Sequence, residues 1–199
     1  MIDRRGFLKL ALATGAVLPY SARADTAPKA RVVVVGGGFG GATAAKYLRL
    51  LDPGQEVTLI TREREYVACP LSNEVLIGER ELNEQIWEHS ALTRYGVKLI
   101  YGDVVSVDPV KKRVTLGEGR QFEYDKLVLA PGIDFDWNAV EGFNEDGAAL
   151  MPHAYKAGVQ TLLLKSQIEA MRDGGVAVIA VPPFPIRCPP APYERAALI

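Results

Sequence analysis

Short apolar runs alternate with amphipathic stretches along most of the chain, and this alternation predicts its elements. Continuous apolar runs of about four to eight residues are typical of buried strands, whereas apolar positions three and four apart are typical of helices. Strands that alternate with helices predict an α/β fold with a doubly wound parallel sheet. The predicted strands are residues 32–35, 56–61, 97–101, 126–130 and 176–181, and the predicted helices are residues 42–51, 82–95, 155–172 and 193–199.

Two stretches depart from this alternation. Residues 104–107, 113–116 and 121–124 are short runs with polar turns between them, and they predict a small antiparallel meander. Residues 62–80 show no clear period, so we predict a loop there. Because the last predicted helix is interrupted by the end of the sequence, we expect the chain to be incomplete.

A glycine-rich turn joins the first predicted strand to the first predicted helix. Its spacing, Gly36-x-Gly38-x-x-Gly41, is the dinucleotide-binding fingerprint. Gly36 permits the tight turn, Gly38 lets a pyrophosphate approach the backbone, and Gly41 lets the helix pack closely. The helix start favours phosphate, although a glycine-rich turn that binds nothing is the alternative. The candidate cofactor-binding residues of this turn are Gly36, Gly37, Gly38, Phe39, Gly40 and Gly41.

The residues around this turn indicate which dinucleotide is bound. An acidic residue at the end of the second strand usually binds the ribose, but this position holds Thr61, with Glu63 near enough to substitute. The apolar strand that leads into Ala-Pro-Gly at residues 130–132 looks like a segment of two-dinucleotide-domain flavoproteins. In those proteins the first fingerprint binds FAD. The candidate FAD-binding residues outside the turn are Thr61, Val104, Ala130 and Gly132.

A second fingerprint, which binds NAD(P)H in those flavoproteins, is absent after the predicted strand at residues 176–181. Residues 182–190 are instead rich in proline, which lacks an N–H donor and obstructs the approach of a phosphate. We therefore expect an FAD-binding domain at residues 25–150, followed at residues 151–199 by the start of a second α/β domain without a nicotinamide site. The electrons then have to come from another source.

The first residues predict export. The pair Arg4-Arg5 precedes a short apolar run, and Ala22-Arg23-Ala24 supplies the small residues of a cleavage site. Residues 1–24 are thus predicted to be a twin-arginine signal peptide and the mature chain to be periplasmic, the alternative being a chance arginine pair. No apolar run reaches the roughly 20 residues that span a bilayer. The net charge of −1 gives no basic excess for nucleic acid.

The sequence holds two cysteines, Cys69 after the second predicted strand and Cys188 in the proline-rich segment, too few for a disulfide scaffold. They can bond to each other in an exported chain, or they can be inert buried thiols. Neither His89 nor His153 has partners at metal-ligand spacing, so we expect no metal site. We expect His89 to be an exposed helix residue and His153 to shape the surface near the domain junction.

Over nearly its whole length the chain resembles the flavoprotein subunit of flavocytochrome c sulfide dehydrogenase, of which it corresponds to the first half. The segments around Cys69 and Cys188 are specific to that family, whereas the glycine fingerprint is shared by many families. The matching segments are Arg4-Arg5, the four valines and three glycines from residue 32, residues 42–47, Cys69 with residues 71–75, residues 130–132, residues 152–154, and residues 187–190 with 192–196.

The resemblance implies a specific chemistry. By it, FAD is bonded covalently through the sulfur of Cys69, and Cys188 is the catalytic cysteine, whose disulfide partner lies outside this sequence. Sulfide, the implied substrate, attacks that disulfide, and electrons pass through the flavin to a c-type cytochrome subunit, the implied partner. Two alternatives stay open: a sulfide:quinone oxidoreductase at the membrane surface, and a non-catalytic flavin-binding accessory protein of sulfur oxidation.

Overall fold

The computed structural model describes residues 29–137, 139–181, 186 and 188–199. The predicted signal peptide lies outside the described residues, as do residues 182–185 and 187 of the proline-rich segment. Two 3₁₀-helices span Leu82–Gln85 and His89–Tyr95. The strands are β1 (Arg31–Val35), β2 (Glu56–Thr61), β3 (Glu65–Val67), β4 (Ile86–Glu88), β5 (Lys98–Tyr101), β6 (Val104–Asp108), β7 (Arg113–Leu116), β8 (Gln121–Glu123) and β9 (Lys126–Leu129), and the α-helices are α1 (Phe39–Leu51), α2 (Ser72–Leu76), α3 (Glu145–Leu150), α4 (Val159–Glu169) and α5 (Ala191–Leu198).

A parallel sheet in the order β5-β2-β1-β9 forms the centre of the described structure. Val34 of β1 lies opposite Leu59 of β2 on one side and Val128 of β9 on the other. Strands covered on both faces read as continuous apolar runs, which is why the valine-rich segments of the sequence form them. The predicted α/β fold class and the first four predicted strands are confirmed.

Different elements cover the two faces of the sheet. On one face, Val32 and Val34 pack with Ala45 of α1. On the other face, Val33 packs with Val114 of the antiparallel meander β6-β7-β8, which was predicted and is confirmed. The alternation of side chains along β1 thus places α1 and the meander on opposite sides. The turn after β1 then lies at the carboxyl edge of the sheet, where α/β proteins bind ligands.

The segment between β2 and β5 differs from its prediction. Residues 62–80, predicted as a loop, contain β3 and α2, and the helix predicted for residues 82–95 is replaced by β4 between the two 3₁₀-helices. Strands β3 and β4 pair antiparallel, with Tyr66 opposite Trp87. Both predictions are wrong because this pairing joins segments about twenty residues apart, and local spacing does not reveal such a contact.

The C-terminal part of the described chain is less compact. Helix α4 is shorter than the predicted 155–172, whereas α5 confirms the helix predicted for residues 193–199. Residues 176–181 form no strand, and Val176 and Val178 are 86% and 84% exposed. A buried strand needs a neighbour to pair its backbone groups, and the described residues place none beside this segment, so that prediction is wrong. The predicted domain division at residues 150 and 151 stays a prediction.

No helix among the described residues combines the length and the apolar character that crossing a bilayer requires.

Candidate functional site

The glycine turn is closed by contacts between β1, β2 and β9. The Gly36 N–H donates to the Ile60 carbonyl (2.8 Å), and the Ala130 N–H donates to the Val35 carbonyl (2.8 Å). Gly36 has a φ of +99°, and a Cβ there would overlap the carbonyl oxygen of Ala130. A Cβ at Gly41 would overlap the carbonyl oxygen of Gly36. Only glycine fits either position, so these two residues fix the shape of the turn.

Gly38 leaves the start of α1 open. It immediately precedes the helix, no side chain caps the first N–H groups, and no acidic residue lies in the first turn. A Cβ on Gly38 would have no atom within 4 Å. Uncapped N–H groups at the positive end of a helix bind phosphate. The turn therefore fits the pyrophosphate of FAD, and the contacts predicted for Gly38, Phe39 and Gly40 stay predictions.

Two side chains fill the inner side of the turn. A Cβ on Gly37 would lie 2.5 Å from both His89 Nε2 and Thr61 Oγ1, so the backbone of Gly37 packs directly on them. Thr61 is 7% exposed at the end of β2, whereas Glu63 is exposed. The structure thus places Thr61 against the turn, and the ribose contact predicted for it stays a prediction.

His89 is buried, with an exposure of 1%, so the prediction of an exposed helix residue is wrong. Its Nδ1 lies 2.7 Å from the carbonyl oxygen of Arg64, and its Nε2 lies 2.5 Å from that of Gly37. His89 is carried there because it opens the 3₁₀-helix after β4, which is paired with β3. The tertiary pairing that the sequence pattern missed therefore also hid this residue.

The other predicted cofactor residues occupy different surroundings. Ala130 contacts the turn directly through its carbonyl oxygen beside Gly36. Gly132 is exposed and has a φ of +83°, with open space where a Cβ would be. Val104 begins β6 of the meander, opposite Leu116, and is partly buried against the core that the meander shares with the sheet. Their cofactor contacts stay predictions.

Cys69 lies in a firmly held loop between β3 and α2, and its free thiol is exposed. The side-chain nitrogen of buried Gln85 donates to the carbonyls of Ala68 (2.7 Å) and Pro70 (2.8 Å), on either side of the cysteine. The Ala68 N–H donates in turn to the main-chain carbonyl of Gln85 (2.8 Å). Leu71, with a φ of 69°, then starts α2. The sulfur is thus displayed on a backbone that is fixed at both sides.

A further set of contacts orients Gln85. Its side-chain oxygen accepts from Arg80 Nε (3.3 Å), which also donates to Glu74 Oε2 (2.9 Å). Arg80 and Glu74 are both partly buried, which shields this ion pair from solvent more than a surface pair. The Cys69 loop is therefore anchored to α2 through side chains as well as through its backbone.

Cys188 also carries a free, exposed thiol, and it lies just before α5. Its carbonyl oxygen accepts from the Ala191 N–H (3.1 Å), which forms the turn into the helix. The two cysteines are not bonded to each other, and neither is buried. Both alternatives that the sequence left open, a mutual disulfide and inert buried thiols, are therefore disfavoured.

Arg195 of α5 connects the two cysteine segments. Its guanidinium donates to the carbonyls of His153 (2.9 Å) and Ala154 (3.0 Å), and to Oδ1 of Asn73 (3.2 Å). Asn73 is on α2, which follows Cys69, so this one side chain joins the helix after Cys188 to the helix after Cys69. Burial lowers the pKa of Arg195 from its ordinary value, with Tyr155 and Glu194 opposing that shift.

His153 belongs to an aromatic cluster beside Arg195. Its ring centroid lies 4.1 Å from that of Phe135 and 6.2 Å from that of Trp137. Burial, with smaller contributions from Arg195 and Lys156, lowers the pKa of His153, and its Nδ1 accepts from the Tyr155 N–H (3.2 Å). His153 is thus a neutral packing residue. Among the described residues no three His, Cys, Asp or Glu side chains come together as a metal site.

Comparison with known proteins places the chain in a family. Residues 30–168, more than half of the chain, match the model of the pyridine nucleotide-disulphide oxidoreductases. The chain belongs to the pyridine nucleotide-disulphide oxidoreductase family. It carries an FAD-binding domain of this family. Residues 161–199 match the model of the central region of the sulfide dehydrogenase (flavocytochrome c) flavoprotein chain.

Individual relatives agree with this assignment. A sulfide dehydrogenase (flavocytochrome c) flavoprotein chain of Chlorobaculum thiosulfatiphilum is 64% identical over 45 residues, which are 23% of this chain and 94% of that one. The sulfide-quinone reductase of Aquifex aeolicus is 29% identical over 169 residues, 84% of this chain and 38% of the relative. The predicted resemblance to the flavocytochrome c flavoprotein is confirmed.

A solved structure supports the same fold. The sulfide:quinone oxidoreductase of Aquifex aeolicus superposes with a TM-score of 0.56 at 26% identity, covering 70% of this chain and 32% of that one. The chain thus spans about a third of the length of this relative. It is related to flavin oxidoreductases that include both the flavocytochrome c flavoprotein and the sulfide:quinone reductases.

The supporting roles of three residues of the site are not visible in the sequence. His89, Gln85 and Arg195 act through contacts with segments far away in the chain. Arg195 lies in a segment that carried the resemblance, but nothing in the sequence indicated its partners. A buried polar side chain is detectable only once its surroundings are known.

Proposed function

We propose that the protein is a periplasmic FAD enzyme that oxidises sulfide and delivers electrons to a c-type cytochrome subunit. One observation carries the proposal: two exposed, unbonded cysteines lie on segments that Arg195 joins, in a chain with the family's open glycine turn. The match of residues 161–199 to the flavocytochrome c flavoprotein model supports the choice of substrate and acceptor.

The residues of the chain divide the work as follows. The N–H groups after Gly38 would hold the pyrophosphate, and Cys69, on its fixed loop, would hold the flavin through a thioether. FAD, when bound, takes up two electrons and releases them one at a time, which suits a haem acceptor. Arg195 joins α5, the helix that follows Cys188, to α2, the helix that follows Cys69.

The sulfur chemistry takes place at Cys188. In a disulfide between Cys188 and a cysteine outside these residues, a hydrosulfide anion attacks one sulfur atom. An S–S bond forms between the sulfide and the attacked cysteine, giving a persulfide, and the bond between the two cysteines breaks to release the other as a thiolate. Two electrons have then passed from the sulfide sulfur to the cysteine pair. The exposure of the Cys188 thiol permits this attack.

Intact-protein mass analysis of the exported, full-length protein tests the proposal. We expect the mass of one FAD on the wild type after denaturation, its loss in Cys69→Ser, and its retention in Cys188→Ser, because only the first variant removes the attachment sulfur. Sulfide-dependent reduction of cytochrome c is expected to fall at least about a hundredfold in Cys188→Ser. A bare wild-type polypeptide would contradict the assignment.

The second candidate is a sulfide:quinone oxidoreductase. The Aquifex aeolicus enzyme favours it, since that relative aligns with 84% of the chain and superposes with a TM-score of 0.56. Parallel assays with cytochrome c and with a soluble quinone separate the two. Faster turnover with the quinone would support the second candidate, and a bound flavin without sulfide oxidation in either assay would support an accessory protein.

A further inference from the structure

Both ring nitrogens of His89 face main-chain carbonyl oxygens. Nδ1 lies 2.7 Å from the oxygen of Arg64 and Nε2 lies 2.5 Å from the oxygen of Gly37. A carbonyl oxygen only accepts hydrogen bonds, so a bond at each contact requires a proton on each nitrogen. A neutral imidazole has one such proton and would set a nitrogen lone pair against an oxygen lone pair. Hydrogen bonds at both contacts would therefore require the imidazolium form.

The Gly37 carbonyl belongs to the peptide group that continues into Gly38. In a trans peptide the C=O and the N–H point in opposite directions. A carbonyl that is held inward by His89 thus turns the N–H of Gly38 outward. Space is open around Gly38, where a Cβ would meet no atom within 4 Å. His89 therefore sets the direction of one of the donors that open toward the pyrophosphate position.

We propose that His89 is a positioning residue: a buried imidazolium that holds the Gly37–Gly38 peptide and supplies positive charge to the turn that would bind the cofactor's pyrophosphate. The proposal rests on the proposed function, because it takes FAD as the ligand. His89 does not touch the reacting atoms. It acts through the peptide group, which it polarises and keeps in one orientation.

The surroundings of His89 leave its charge for the ligand to balance. The described groups that face it are the carbonyls of Arg64 and Gly37, the hydroxyl of Thr61, and the ring of Tyr66 with its centroid 5.6 Å away. Burial raises the pKa of Tyr66, so its phenol stays neutral. None of these groups is anionic. A buried cation without a counter-charge is costly, and a pyrophosphate on the turn relieves that cost.

Affinity and protonation are consequently linked. If the pyrophosphate favours the protonated ring, then loss of that proton weakens the binding of FAD by the same factor. Affinity for FAD should therefore fall as a rising pH removes that proton. A purely structural histidine would weaken binding equally at every pH when it is replaced.

The experiment measures FAD dissociation in the full-length protein carrying Cys69→Ser, which makes the cofactor reversible. Between about pH 6 and 9 we expect the dissociation constant to rise about tenfold with His89 present. His89→Gln is then added, and its amide does not titrate. In that variant the dissociation constant for FAD should be high and independent of pH. His153→Gln is the matched control, and it should keep the rise.

Two outcomes would overturn the inference. One is an equal pH slope with and without His89. The other is a ¹⁵N spectrum of the wild-type holoprotein at neutral pH in which the ring resonances absent from His89→Gln show one unprotonated nitrogen. This spectrum is recorded on the wild type, and His89→Gln serves only to assign the ring resonances. A low yield of His89→Gln therefore does not block the test. Failure of the proposed function looks different, because the wild type then holds no flavin at all.

Discussion

The two parts of the described chain are built differently. In residues 29–130 the sheet is covered on both faces, and Val34, Leu59 and Val114 are fully buried. In residues 145–199 large apolar side chains are open, with Leu150 76% and Val178 84% exposed. The first part presents its site on a packed core. In the second part, the polar contacts of Arg195 join the helix that follows Cys188 to the segment of His153 and Ala154 and to α2.

An apolar run forms a buried element only where the fold supplies neighbouring elements to pack against it. The run at residues 32–35 has β2 and β9 beside it and forms the central strand. The run at residues 176–181 is as apolar, but no strand of the described structure pairs with it. Burial of apolar surface would stabilise either run, but only the run at residues 32–35 has neighbouring strands that allow it to be buried.

The largest effect should come from the turn on which the first part is built. Gly36→Ala places a Cβ on the Ala130 carbonyl and forces a side chain into a φ of +99°. We expect a loss of on the order of 5 kcal/mol in the free energy of unfolding, comparable with the whole stability of a small domain. Denaturant unfolding of the full-length protein, or its failure to express as soluble protein, measures this.

Gly38→Ala is the matched control for that variant. Gly38 has a φ of −68° and room for a Cβ, so the fold should be unchanged within about 0.5 kcal/mol. FAD should nevertheless be lost, because the new methyl group occupies the position assigned to the pyrophosphate. Normal flavin content in Gly38→Ala would contradict the placement of the cofactor at this turn.

Core truncation compares the two parts directly. Leu59→Ala removes a fully buried side chain from the sheet and should cost about 3 kcal/mol. Leu150→Ala makes the same chemical change at a side chain that is 76% exposed, and it should cost less than about 0.5 kcal/mol. Urea unfolding midpoints with unchanged slopes give both values. A similar cost at the two positions would contradict the contrast.

A smaller effect is expected at the Cys69 loop. Gln85→Ala leaves the carbonyls of Ala68 and Pro70 without their donor and should cost about 1–2 kcal/mol, since water reaches the exposed side of the loop. Covalent flavin content should fall with it. Gln160→Ala, which removes a half-buried amide in the second part, is the control and should leave the flavin attached. Equal flavin content in both variants would show that attachment of the flavin does not depend on Gln85.

How far the sequence predicts the fold follows the same division. The valines of β1 and the run of β2 are recognisable because apolar residues dominate them, and the three strands of the meander are recognisable as short runs separated by polar turns. The pair β3 and β4 is not, since its three-residue strands carry no period and Tyr66 meets Trp87 only in the folded chain. The strand prediction for residues 176–181 is wrong for the opposite reason. This run has the composition of a strand, but no strand of the described structure pairs with it.

The candidate site divides likewise. Gly36 and Gly41 are identifiable because backbone geometry demands glycine at fixed spacing. The roles of His89 and Gln85 are not identifiable, since each depends on a carbonyl that long-range folding brings to it. Spacing in a sequence encodes the local backbone, whereas the buried polar supports of a site depend on tertiary contacts.

The smallest expected effect lies at the exposed rim of the first part. Asp125 accepts from the Arg31 N–H (2.7 Å) and pairs with the guanidinium of the same residue, and these contacts, the backbone one first, lower its pKa below the ordinary 3.8. Its stabilising contribution is therefore present above that value and is lost as the pH falls through the lowered pKa. Asp125→Asn should lower Tm slightly at neutral pH and leave it unchanged in strong acid, where the wild-type carboxylate is protonated. Asp173→Asn, an exposed carboxylate in the second part, should change Tm at neither pH. If the Tm of Asp125→Asn stayed below that of the wild type in acid, the side chain would act through its shape rather than its charge.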